Sequence, residues 1–285
     1  MRPARRARQR PHDDPPRAEA RRAADGARVS ARRRLRVAAL CACAVLAQSA
    51  SAEESLTRDQ RTKAAAVNTQ LALTYMKQGE LQAAREKIDK ALQQNPRTAD
   101  TQMAAGFVYD RLGDQRKARN HFDQAVKLGG KDNPDVLNNA AQYFCRKDDR
   151  KRGEKYFLQA AESPLNRMPE IAYTNAGFCA RADGRPKDAE KYFRQALALR
   201  PNLPDPLYQL ADLYVEASSP LQARAFLERY MAVAPPSAAS LWLGYQIESA
   251  LGERAAADGY ASKLKGDFPT SAEMGRLLEA ERGAP

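Results

Sequence analysis

Residues 71–96 read LALTYMKQGELQAAREKIDKALQQNP, and residues 105–130 read AGFVYDRLGDQRKARNHFDQAVKLGG. Set one under the other, Tyr75 falls on Tyr109, Gly79 on Gly113, Ala84 on Ala118, Ile88 on Phe122 and Ala91 on Ala125, every time at an offset of 34. The set continues as Phe144, Gly153, Phe157 and Ala160, then as Gly177, Gly184, Ala189, Phe193, Ala196 and Pro201. It returns once more as Ala211, Tyr214, Ala223, Leu227 and Pro235, and LWLGYQIESALG (241–252) opens a sixth, looser unit that ends near Pro269. Unrelated amphipathic helix pairs would not hold five offsets equal.

This pattern resembles the tetratricopeptide repeat, whose unit of two helices has the same length. The spacing has physical causes. A glycine at Gly79, Gly113 and Gly184 supplies the turn between the two helices, and a proline closes the second. Small residues at the Ala84 position let the helices of one unit approach closely, while large residues at the Tyr75 and Phe122 positions fill the space between units. One unit cannot bury its apolar face alone, so units stack. The expectation is an all-α, right-handed superhelix of about six helix-turn-helix units over 65–269, preceded by a linker at 53–64 and followed by a capping helix and tail at 270–285.

Composition narrows the function. The chain has 285 residues, 43% hydrophobic and 29% charged, with a formal net charge of +12. Residues 1–36 hold 13 Arg against four acids (Asp13, Asp14, Glu19, Asp25), a local charge of +9 that leaves only +3 for the rest. A nearly neutral body behind a basic, Arg/Pro-rich extension has no stripe of charge to follow a phosphate backbone, so nucleic acid is not an expected partner.

The extension leads into a targeting signal. RRRLR (32–36) precedes the apolar run VAALCACAVLA (37–47), and then QSASAEE (48–54). A positive flank, a short apolar segment and a small-x-small site at Ala50-Ser51-Ala52 predict export, with cleavage after Ala52. The eleven apolar residues fall short of the about 20 that a spanning helix needs. A second reading stays open: LCAC (40–43) resembles a lipoprotein box with Cys43 as the lipidated residue, although Cys41 departs from the pattern. The mature protein is therefore expected in the periplasm, with a possible lipid tether to the inner leaflet of the outer membrane.

In a repeat stack of this kind the first helices line a concave surface. Repeat geometry places Thr69, Leu73, Met103, Phe107, Asn138, Gln142, Thr174, Phe178 and Tyr208 on it, and a groove of this sort suits an apolar helix or an extended peptide. The alternative is that the superhelix buries these side chains between adjacent first helices. Cys145 and Cys179 sit in the second half of the first helix of repeats three and four, in QYFC and AGFC. Neighbouring helices can bring two such cysteines within disulfide reach, and an oxidising periplasm would preserve the bond. Two buried thiols remain the alternative.

Chemistry finds little to work with. Downstream of the leader there is one histidine, His121, beside a core Phe. It supplies neither a base for a catalytic cysteine nor a metal ligand set. Nucleophile elbow, phosphate loop and HExxH are all missing from the sequence. No enzyme, cofactor, metal or small-molecule substrate is expected.

The wording of the repeats goes further than their period. NTQLALTYMKQGELQAAREKIDKALQQNP, DVLNNAAQYFC, NAGFCARADG, LADLYVEASSPLQARAFLERY and LWLGYQIESALG together resemble the type IV pilus biogenesis/stability protein family, from about residue 60 to 272. That resemblance implies a pilotin, a protein that helps the outer-membrane secretin of the pilus reach its membrane and form its multimeric ring. It also implies recognition of a secretin segment by the groove of the first repeats, with Thr69, Leu73, Met76, Met103 and Phe107 foremost. A scaffold that stabilises the pilus fibre, or another cell-envelope assembly, is the rival expectation.

Overall fold

The computed structural model describes residues 57–130, 133–147 and 149–283. Every regular element among them is a helix. The first three pairs are α1 (Arg58–Gln78) with α2 (Leu81–Gln94), α3 (Ala99–Arg111) with α4 (Gln115–Gly129), and α5 (Pro134–Arg146) with α6 (Arg150–Glu162). They continue as α7 (Pro169–Ala182) with α8 (Pro186–Leu199), α9 (Pro204–Glu216) with α10 (Pro220–Met231), and α11 (Ala238–Leu251) with α12 (Arg254–Asp267). A last helix, α13 (Ala272–Gly283), follows. The architecture is all-α and of tetratricopeptide type. The first helix begins at Arg58, so residues 58–64, expected as linker, are helical. RDQRTKA contains no breaker, and Asp59 in the first turn favours the positive end of the helix dipole.

The ends of the helices follow local chemistry. Five of them, α5, α7, α8, α9 and α10, carry a proline in the first turn, where its missing N–H costs nothing. Thr98, Asp114 and Asn133 cap α3, α4 and α5 through side-chain oxygens that accept from backbone N–H groups. Each first helix of repeats one, two, four and six ends in a glycine at positive φ: Gly79 at 83°, Gly113 at 81°, Gly184 at 71° and Gly252 at 79°. In repeat five Ser218 adopts the same conformation, with φ 53°.

In three of the units a glycine on the first helix makes room for a ring on the second. Gly106 faces Phe122, Gly177 faces Phe193 and Gly244 faces Tyr260 so closely that an added methyl would lie 2.9, 2.5 and 2.6 Å from the ring. At the same spacing of sixteen residues, Ile88 and Leu227 are matched by Ala72 and Ala211, and in repeat three Phe157 is matched by Ala141. Gly153 marks a second kind of approach. A methyl there would come within 2.8 Å of the Ala141 carbonyl oxygen and the Cys145 nitrogen, so α5 and α6 touch backbone to backbone.

The core is a succession of small clusters rather than one mass. Phe122, Tyr143 and Phe144 join repeats one to three, Phe193, Leu207 and Leu210 continue the core through repeats three to five, and Leu227, Leu243 and Ile247 carry it into repeat six. Tyr156 packs against three clusters, and Tyr214, Phe226 and Tyr230 each against two, so these side chains link them. Between neighbouring repeats, arginines add charged ties. Arg119 reaches Asp149 at 2.7 Å, Arg181 reaches Asp212 at 2.5 Å, Arg185 pairs with Glu154, and Arg224 pairs with Glu248. The Glu154 carboxylate and those of Asp183 and Asp188 hold the Arg185 guanidinium well above its ordinary pKa. Each tie joins one repeat to the next, which suits a stack stabilised by nearest-neighbour interfaces.

Candidate partner-binding groove

A cavity of about 670 Å³ opens among α1, α3 and α5, the first helices of repeats one to three. Its apolar walls come from Ala65, Ala66, Leu73, Met103, Ala104, Phe107 and Val136. Thr62, Thr69, Gln70, Thr98, Thr101, Asn133 and Asn139 supply hydroxyls and amides, and Asp100 and Asp135 are its charged groups.

The walls are positioned by hydrogen bonds that belong to the fold. Thr69 donates its hydroxyl to the Ala65 carbonyl at 2.8 Å, so its oxygen can only accept from Thr101, 3.1 Å away. The Thr101 oxygen in turn accepts from the Thr98 hydroxyl at 2.7 Å. The result is a line of hydroxyls running Thr98 to Thr101 to Thr69 to the α1 backbone, with all three side chains in the cavity wall. Thr98 also accepts from the Thr101 amide as the cap of α3. On the far side, Asn133 caps α5 by accepting from the Val136 amide at 3.1 Å. The Phe107 ring stands edge-on to Phe122 with centroids 5.2 Å apart, which fixes the apolar floor.

Four of the ten residues expected in the groove line this cavity: Thr69, Leu73, Met103 and Phe107. Met103 is only 7% exposed, so it contributes a surface at the bottom rather than a protruding anchor. Met76 packs with Leu73 and Tyr75 against the first core cluster instead. Asn138 and Gln142 lie on α5 but outside the cavity, where Asp135, Val136 and Asn139 take the wall. Thr174 is buried and donates its hydroxyl to the Glu170 carbonyl at 2.7 Å. Phe178 lies edge-on to Phe193, and the Tyr208 ring rests against Tyr230 at 5.6 Å. These side chains follow the same helix faces but are not gathered with the first four. Thr98 and Thr101 were missed as lining residues, though the pattern Thr98-x-x-Thr101 before an apolar run signals a helix cap.

The structure joins Cys145 to Cys179 in a disulfide whose Cα atoms are 5.8 Å apart. It ties α5 to α7 across the boundary of repeats three and four, beside the close backbone approach at Gly153. Ala52 and Cys43 lie outside the described residues. Among the described residues, no helix is long and apolar enough to cross a membrane, and no group of three His, Cys, Asp or Glu is placed to hold a metal ion.

Two family models match the chain. One, described as N-terminal acetyltransferase A, auxiliary subunit, covers residues 36–165, and the other, described as tetratricopeptide repeat, covers 180–242. The type IV pilus assembly protein PilF of Pseudomonas aeruginosa is 25% identical over 213 residues, which cover 75% of this chain and 84% of PilF. A solved structure of Pseudomonas aeruginosa PilF matches with a TM-score of 0.63 and 25% identity, over 78% of this chain and 99% of that one. A crystal structure of PilW, described as a widely conserved type IV pilus biogenesis factor, matches with a TM-score of 0.62 and 30% identity, over 75% of this chain and 98% of PilW. The 34-residue repeat, the helix-pair stack and near-complete coverage of PilW lead to one conclusion: the chain belongs to the family of tetratricopeptide-repeat proteins of type IV pilus biogenesis represented by PilF and PilW.

Proposed function

We propose that this protein acts in type IV pilus biogenesis by binding the outer-membrane secretin and promoting its localisation and multimerisation. The observation that carries the reading is the apolar cavity of the first three repeats, on a scaffold of the PilF and PilW family. Leu73 and Phe107 offer apolar contact there, and Gln70 and Asn139 offer amides to a peptide backbone. No bond is made or broken in this role. The stack presents a preorganised surface, and the secretin segment supplies the binding energy by covering it. The protein works from the periplasm after export through the 37–52 segment, either released by cleavage after Ala52 or held at the outer membrane by lipid on Cys43.

The test is the state of the secretin in cells lacking this protein, read as heat-resistant multimers in membranes solubilised without boiling. Multimers lost while secretin monomer remains is the expected result. Multimers retained while surface pili disappear would instead assign the protein to stabilising the fibre. In vitro, Phe107→Ala is expected to weaken secretin binding while circular dichroism stays that of the parent, and unchanged affinity would remove the groove from the mechanism.

A further inference from the structure

We propose that the segment this groove accepts is an apolar peptide carrying lysine or arginine, its cationic heads set against Asp100 and Asp135. The inference rests on the groove being the partner site, as given above, and adds the chemistry of the occupant. Among the described residues the lining is apolar or uncharged apart from these two carboxylates, with no Lys, Arg or His. The described bases next in sequence to lining residues, Arg61 and Lys63 beside Thr62 and Arg97 beside Thr98, do not themselves line the cavity.

Both acids are exposed, and among the described residues neither has a cationic partner. Asp205, Asp258 and Asp267 are likewise in no ion pair among the described residues, so what sets Asp100 and Asp135 apart is their place in the cavity wall. Asp110, Asp123, Asp149 and Asp212 are each held by an arginine. Asp100 and Asp135 sit in the first turns of α3 and α5, where the helix dipole favours a negative charge in the free protein. The dipole end amounts to roughly half a charge, so a full carboxylate there still leaves net negative potential at the rim.

Covering an unpaired carboxylate with apolar or acidic groups removes its water without replacement, which is unfavourable. A lysine or arginine avoids that cost. Its methylene stem lies along the apolar wall while its head meets the acid at the rim. The same arrangement rejects acidic segments by like-charge juxtaposition, so it sets specificity as well as affinity.

The experiment is selection of a random twelve-residue peptide library on the immobilised protein, with parallel selection on Phe107→Ala and on the double variant Asp100→Asn/Asp135→Asn, each checked by circular dichroism. The expected result is enrichment of sequences that lose binding to Phe107→Ala, rich in Lys and Arg beside apolar residues and poor in Asp and Glu. An individual selected peptide should bind the Asn double variant about five- to tenfold more weakly at low salt, the scale of one or two partly screened ion pairs. Peptides that require Phe107 but show no cationic bias, or that ignore the Asn substitutions, overturn this inference and leave the groove reading standing. Absence of any Phe107-dependent peptide overturns both.

Discussion

At the scale of the residue, the tight fit of a glycine against a ring at Gly106, Gly177 and Gly244 is the strongest constraint. Gly177 leaves a methyl only 2.5 Å from the Phe193 ring, and both residues are fully buried or nearly so. Gly177→Ala is expected to destabilise the protein by about 1–3 kcal/mol through overpacking. Adding Phe193→Leu should return part of that loss, because the chain itself pairs Ala211 with Leu227 at the same positions of repeat five. A urea-unfolding double-mutant cycle checks this, and strictly additive effects would refute it. His121 carries a second residue-scale prediction. Burial lowers its pKa below 6.5, Asp89 and Asp114 oppose the shift and Lys117 adds to it; the ring stacks on Tyr109 and its Nδ1 lies 2.7 Å from the Gln102 carbonyl oxygen. The folded state thus takes up a proton less readily than the unfolded chain. Stability is full above about pH 6.5 and falls as pH is lowered through the folded value. His121→Gln should flatten the dependence of stability on pH, read from unfolding curves, below about 6.5. Glu190, held low chiefly by Tyr214 and also by Arg194, begins to lose its contribution only below the ordinary carboxylate value of 4.5.

At the scale of the element, the turn between the helices of repeat five departs from the others. The Ser218 amide donates to the Val215 carbonyl and the Ser219 amide to the Tyr214 carbonyl, the same bonds that Gly79 and Glu80 make in repeat one. Only the residue type differs, and a serine at positive φ is strained where glycine is not. Ser218→Gly is expected to raise stability by about 0.5–1 kcal/mol, the relief of strain exceeding the extra freedom glycine brings to the unfolded chain. A lower melting temperature would show that the serine side chain holds something the backbone geometry does not reveal. The helices themselves were legible because Gly79, Gly113, Gly184 and the Ala84 series recur in register. The groove was legible only in part. Equivalent positions in successive repeats share a helix face, but depth on that face is decided by neighbours the repeat does not specify. Thr174 turns its hydroxyl into its own helix, Phe178 rests on Phe193 and Tyr208 on Tyr230, while Thr98 and Thr101 enter the wall from a cap. The early start of α1 was equally hidden, since RDQRTKA has no apolar periodicity to announce a helix.

At the scale of the whole molecule, stability is passed along the stack from one repeat to its neighbour, and the Cys145–Cys179 bond reinforces one of those junctions. It closes a sequence separation of 34 residues across a junction whose connection, residues 163–168, is as long as that at 232–237 and longer than the other connections between repeats. Chain-entropy arguments assign such a loop about 2–4 kcal/mol. Replacing both cysteines with alanine should lower stability by that order and, in hydrogen exchange, speed the amides of α5 to α7 more than those of α11 and α12. Uniform acceleration would mean that the stack unfolds as a single unit. The Gly177–Phe193 type of pairing has a further consequence on the timescale of descent. A larger residue in one slot meets a ring that fills its space, and a smaller partner alone leaves a void, so neither change is tolerated well without the other. Across related chains these two slots, sixteen positions apart, should therefore vary together, with their summed side-chain volume held nearly constant while each member drifts. A repeat copied to a new place in such a chain would inherit both members at once, as a single unit of variation.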